Sequence, residues 1–190
     1  MNKIRLSIVT ILILGLFSSW GFFAHKKINE TAVFLLPSDL SPFYKKNIKA
    51  ITNKAIDPDK RCYTDSLEPR RHYIDLNELD ENMDSIPLQW TTAVEKYTER
   101  KLLDHGIIPW QISRTYQKLV NAFTAKDATT IIRYSADLGH YIADAHVPLH
   151  TTSNYNGQQT DQIGIHAFWE TRIPEMFFKE YNLYIGPARY

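Results

Sequence analysis

Within residues 127–148, Ile131, Ile132, Ala136, Leu138, Ile142 and Ala145 recur at helical spacing, which commits the middle of the chain to a long amphipathic helix. Asp127 or Thr129 can begin it, and Pro148 closes it. Similar punctuation recurs on both sides. Residues 22–36 are apolar along one face and stop at Pro37, while Ser41 and Pro42 supply an N-cap and a first-turn proline for a second helix. Pro87 opens another, running through Trp90, Val94, Tyr97 and Leu102 to Gly106, and residues 110–123 continue the periodicity. Alternation of the strand kind is confined to residues 71–76. The fold class is therefore all-α, a multi-helix bundle in one domain. Residues 151–163, rich in Asn, Gln, Gly and Thr, read as a surface loop beside whatever the flanking elements build.

The 22 Lys and Arg nearly cancel the 21 Asp and Glu, leaving a formal charge of +1, so any anion binding has to be local. One cysteine, Cys62, excludes an intramolecular disulfide framework and Cys-rich zinc motifs. At the N-terminus, Lys3 and Arg5 precede an apolar run over residues 6–17 and small Ser18 and Ser19, the layout of a secretory signal. Residues 1–19 are expected to be removed, leaving residues 20–190 as a secreted or periplasmic domain that starts at Trp20. The alternative is an uncleaved membrane anchor, because apolar character continues through Trp20, Phe22, Phe23 and Ala24, close to the roughly 20 residues that span a bilayer.

On the strong helix His140 and Asp144 stand four apart, so both side chains leave one face at a separation a single metal ion can bridge. Such a pair is weak evidence alone, since about one or two are expected by chance among seven histidines and 21 acids. The odds change because His150 follows just past the helix-stopping proline, and His166 and Glu170 repeat the four-residue step. Upstream stand Asp57 and His72, and Trp20-Gly21-Phe22-Phe23-Ala24-His25 opens the mature chain. Together with Ala55-Ile56-Asp57, His72-Tyr73-Ile74-Asp75, Gly139-His140 and Gly164-Ile165-His166, this set resembles the zinc-dependent phospholipases C and their relatives, the single-strand-specific nucleases. The matching positions span most of the mature chain.

That resemblance implies a helical fold around three zinc ions. It implies one zinc held by Asp57, His72, His140 and Asp144, and a second by His150, His166 and Glu170. A third would use the α-amine and carbonyl of Trp20 with His25 and Asp144, so that leader cleavage itself creates a ligand. Asp59 competes with Asp57, since Asp57-Pro58-Asp59 offers two carboxylates within one turn; family spacing to His72 favours Asp57, which is also the candidate to orient water or take its proton. Related chains continue through further helices after the Glu170 segment, and this one reads as a shortened form.

The activity implied is hydrolysis of a phosphodiester by metal-activated water, on a phospholipid or on single-stranded nucleic acid. Glu170 and the spacing from Asn154 to His166 look like the phospholipase branch. The five-residue step from Trp20 to His25 and the His72-Tyr73-Ile74-Asp75 sequence look like the nucleases. A monomer with transient membrane-surface contact is expected. The reading from another class is a catalytically weak protein that keeps zinc for structure, or an anchored one in which Trp20 stays internal.

Overall fold

The computed structural model of the chain describes residues 21–80, 82–183, 186 and 188. The expected leader and Trp20 lie outside the described residues. Helices carry the fold, and there is no strand among the described residues. No helix among them is long and apolar enough to cross a membrane.

Helix α1 (Phe22–Leu35) buries His25, Asn29 and Val33 at four-residue steps and stops ahead of Pro37, where Leu36 is extended. Three short helices follow: α2 (Ser41–Lys46), α3 (Ile48–Lys54) and α4 (Asp57–Arg61), the first and last with a proline in the opening turn. A 3₁₀ turn (Pro69–Arg71) leads through an extended link to α5 (Leu76–Leu79).

That link is the segment whose alternation looks strand-like, and it has no strand partner. Its backbone is satisfied by loops instead: Ile74 N–H donates to His150 O at 2.8 Å, Asp75 N–H to His105 O at 2.7 Å, and Tyr73 O accepts from Ile108 N–H at 3.2 Å. The helix expected from Pro87 also differs. It starts at Trp90 and is cut in two at Thr98, giving α6 (Trp90–Tyr97) and α7 (Glu99–His105). Thr98 sits at φ 71, a conformation that ends α6, and its hydroxyl accepts from Lys101 N–H to cap α7.

The two longest helices among the described residues form an antiparallel hairpin, α8 (Ile108–Thr124) and α9 (Ala128–Ala145). Asp127 caps α9 by accepting from Thr130 N–H at 3.1 Å. Along α9, Ile131 and Ala136 pack with Val33, Tyr44, Ile51 and Ala122, while Tyr141 packs into a second core with Ile74, Leu102, Ile108 and Trp110. Between these contacts α1 crosses α9 closely: a Cβ on Gly139 would meet Asn29 Oδ1 at 2.4 Å. Glycine is therefore required there for the helices to approach, and Asn29 is fixed by donating to His25 O at 3.1 Å. After a 3₁₀ turn (Pro148–Thr151) and the polar loop, the chain forms α10 (Ile165–Ala167), a π turn (Phe168–Arg172) and α11 (Ile173–Phe177).

Candidate metal centre

Close packing of α1 on α9 places imidazole against imidazole. His140 is fully buried, and the His25 ring stacks on it with centroids 3.9 Å apart. One turn along α9, Asp144 is 1% exposed, and its two oxygens serve different neighbours. Oδ1 lies 3.2 Å from His25 Nε2, whereas Oδ2 lies 2.9 Å from His72 Nδ1 and 3.2 Å from His140 Nε2. Helix α4 adds Asp59, with Oδ1 3.5 Å from His140 Nε2 and 3.9 Å from His72 Nδ1. These residues make two overlapping ligand sets, His25 with His140 and Asp144, and Asp59 with His72 and His140. A carboxylate shared in this way can bridge two cations.

A third set, His150, His166 and Glu170, gathers from the irregular elements after α9. Glu170 Oε1 approaches His150 Nε2 at 2.7 Å and Oε2 approaches His166 Nε2 at 3.1 Å. Gly21 borders both regions: a Cβ built there would lie 3.3 Å from the His25 ring and 3.6 Å from Glu170 Oε2. Its φ of 63 suits glycine, and its N–H donates to Thr171 Oγ1 at 3.0 Å. A cleft of about 440 Å³ runs over the sets, walled also by Tyr73, Leu149 and Tyr155.

The imidazoles are held from behind. His140 Nδ1 is 2.7 Å from Ala55 O, His150 Nδ1 is 2.5 Å from His72 O, and His166 Nδ1 is 3.3 Å from Tyr155 O. A carbonyl can only accept, so each Nδ1 carries the hydrogen and the neutral ring offers the Nε2 lone pair to the centre. His72 is turned the other way, with Nδ1 inward and Nε2 facing Cys62 Sγ at 3.7 Å and Glu68 Oε1 at 3.8 Å.

The charges are strongly coupled. Burial opposes ionisation of Asp144, yet His140, His25 and His72 outweigh it and hold the carboxyl well below the usual range. Burial likewise pulls His25 and His72 down, but the Asp144 carboxylate wins and raises both. In the third set burial is again outweighed: Glu170 lifts His150 to about 9, and His150 and His166 lower Glu170 to about 2. Asp59 is the exception, because burial outweighs the neighbouring histidines and raises its carboxyl.

Several buried polar atoms at the centre lack a hydrogen-bond partner: His25 Nδ1, Asp59 Oδ2, His150 Nε2 and Glu170 Oε1. The last two are close but not aligned for a hydrogen bond. Buried imidazole and carboxylate groups converging from separate elements, some of their polar atoms without a hydrogen-bond partner, fit a divalent transition metal.

The structure brings together His25, His72, His140, Asp144, His150, His166 and Glu170 of the residues named from the sequence. It does not bring in Asp57. That carboxylate faces Lys54 and Lys60 at 3.6 and 3.4 Å, and Asp59 takes the place against His72 and His140. The two residues are two apart on α4, about 200° of rotation, so only one can face the centre. Trp20 lies outside the described residues. Tyr73 lines the cleft, whereas Phe168 and Trp169 are half exposed. Sequence reasoning missed Tyr155 and Glu68; the four-residue step from Glu68 to His72 is the one signal that could have exposed the latter. No protein-family model, curated protein or solved structure matches the chain.

Proposed function

We propose that the chain is a zinc-dependent phosphodiester hydrolase of the phospholipase C kind, acting after export on a phospholipid or a related phosphodiester. The observation that carries this reading is the split of Asp144 between His25 on one side and His72 with His140 on the other, beside a third imidazole–carboxylate set across one cleft. Zinc in these sets would acidify water and neutralise phosphoryl oxygens. His72, His140, Asp59 and Asp144 would hold one ion, His150, His166 and Glu170 another, and His25 with Asp144 a third. Leader cleavage before Trp20 would add an α-amine one residue from Gly21, which borders His25 and Glu170.

Asp59 replaces Asp57 as the residue to move a proton. Its buried Oδ2 has no hydrogen-bond partner, and burial raises its carboxyl, so it can accept a proton from attacking water. Leu149 and the two tyrosines would cover the reacting group from solvent. Single-stranded nucleic acid is the second reading, favoured by Tyr73 and Tyr155 on the cleft wall, where a base could stack.

The test is to offer the mature protein a chromogenic phosphodiester, phosphatidylcholine vesicles and single-stranded DNA, with zinc and with chelator. Hydrolysis of at least one, abolished by chelator and restored by zinc, is expected. A zinc-loaded protein that turns over none of them is a structural zinc protein, and the hydrolase reading fails.

A further inference from the structure

Behind the ligand sets lies a group of charges that hydrolysis does not use. Glu68 is 1% exposed and borders a polar recess that Arg61, Arg71 and Asp137 also line, not the cleft. Its Oε1 accepts from Arg61 Nε at 3.3 Å, from Arg61 Nη2 at 3.2 Å and from the Tyr141 hydroxyl, while Oε2 accepts from Arg71. Arg61 also donates to Asp137 Oδ1 at 3.2 Å. A buried carboxylate needs such partners, but a buried ionic cluster is rarely the most stable filling for its volume. Its placement gives it another use. Arg61 lies two residues after Asp59, Tyr141 follows His140, and Glu68 Oε1 stands 3.8 Å from His72 Nε2.

His72 needs this. The other imidazoles with an assigned rear contact reach a backbone carbonyl, which fixes the hydrogen on the outer nitrogen. His72 has Cys62 and Glu68 there instead. A neutral imidazole carries one N–H, and if it stood on Nδ1 that nitrogen could only donate to Asp144, not bind a cation in the centre. We propose that Glu68 is a positioning residue for the centre: its carboxylate, clamped by Arg61, Arg71 and Tyr141, draws the His72 hydrogen to Nε2 and leaves Nδ1 as the ligand atom. Thiol sulfur is a weak acceptor, so Cys62 is secondary in this role. The inference rests on the metal reading of the His72 set.

The experiment compares wild type, Glu68→Gln and Cys62→Ala by zinc competition titration and by ¹⁵N NMR of the histidines, at a pH where His72 is neutral. Wild type is expected to carry the Nε2–H form of His72. In Glu68→Gln the Nδ1–H form should grow, and zinc should bind the His72 set about 10–100-fold more weakly, with the His150 set unchanged. Cys62→Ala should change neither. A folded Glu68→Gln with wild-type tautomer and zinc affinity overturns the proposal, as does a Cys62→Ala that reproduces the loss. If Glu68→Gln does not fold, Tyr141→Phe, which removes one donor to Glu68 and keeps the ring, decides by the same two readouts. Wild type that takes up no zinc sinks the metal reading instead, and the tautomer of metal-free His72 still reports on Glu68 separately.

Discussion

The His140 set and the His150 set use the same side-chain chemistry on different supports. Helix α9 carries His140 and Asp144 one turn apart, α1 is locked against it through Gly139, and the end of α3 is tied to it through Ala55 O. The other set hangs on a 3₁₀ turn, a three-residue helix and a π turn. The polar loop that joins those pieces is braced by its own hydrogen bonds: Asn154 Oδ1 accepts from Gln159 N–H at 2.8 Å, Gln158 Nε2 donates to Ser153 O at 2.6 Å, and Gly164 N–H reaches Asn156 Oδ1 at 3.0 Å, while His150 O and Thr171 Oγ1 accept from Ile74 and Gly21 N–H. One set is thus positioned by apolar packing and the other by side chain–backbone hydrogen bonds. Helical packing makes the first the rigid half of the site, and surface hydrogen bonds make the second the adjustable half.

The largest expected effect breaks the rigid half. Asp144→Asn keeps the shape but removes the one charge shared by His25, His72 and His140, so phosphodiester turnover should fall by at least about 1,000-fold. Elemental analysis should find zinc lost from both overlapping sets, with the His150 set still loaded. Glu170→Gln is the counterpart: it should cost only the zinc of the adjustable half, with turnover down about 10–100-fold. If Glu170→Gln strips the His140 set as well, the two halves are one cooperative unit and the contrast drawn from their supports is wrong.

Protons sharpen the comparison next. In the metal-free protein His150 is raised to about 9, because Glu170 outweighs the desolvation that would lower it. Its folded value exceeds the unfolded one of about 6.5, so its stabilisation is full below that pH and is lost as pH rises through about 9. Glu170, lowered to about 2, contributes above its unfolded value of about 4.3 and is lost as pH falls through about 2. His25 and His72, also raised, act in the same direction as His150. Metal-free stability should therefore be highest at about pH 4.5–6.5 and decline toward pH 9, by on the order of 1–3 kcal/mol from His150 alone, and Tm should follow it. Zinc runs the other way, since the His150 proton has to leave first, and affinity at that set should rise with pH. Thermal melts in chelator and zinc titrations across this range check both slopes; a flat Tm between pH 6.5 and 9 contradicts the coupling.

Helices α8 and α9 were legible because each carries an apolar stripe long enough to outweigh local accident, α1 because Pro37 ends it, and Asp127 announced the cap of α9. The break at Thr98 was not, since a β-branched residue at positive φ goes against the local preference. Residues 71–76 alternate, but alternation describes a half-buried extended chain equally well when loops take its hydrogen bonds. Of the site, the histidines and Asp144 stood out through spacing. Their rear supports did not: Ala55, His72 and Tyr155 contribute backbone carbonyls, which every residue type offers, and Glu68 looks like any surface acid until Arg61 and Arg71 close around it.

The smallest expected effect concerns the pair that sequence spacing could not order. Asp57 and Asp59 flank Pro58, which is buried, so one carboxylate is carried toward solvent and the other toward α9. The link from His140 Nδ1 to Ala55 O sets the start of α4 against α9 and so determines which one turns inward. Asp59→Asn should weaken zinc at the His72 set by about 10–100-fold and lower turnover with it, because the ring nitrogens then face a neutral amide. Asp57→Asn removes only contacts to Lys54 and Lys60 at 3.6 and 3.4 Å, both partly exposed. Pairs of that kind are worth about 0–1 kcal/mol, so its Tm, zinc content and turnover should match wild type within error. Should Asp57→Asn lose zinc while Asp59→Asn keeps it, α4 turns the other way about its axis, and the proton-accepting role passes back to Asp57.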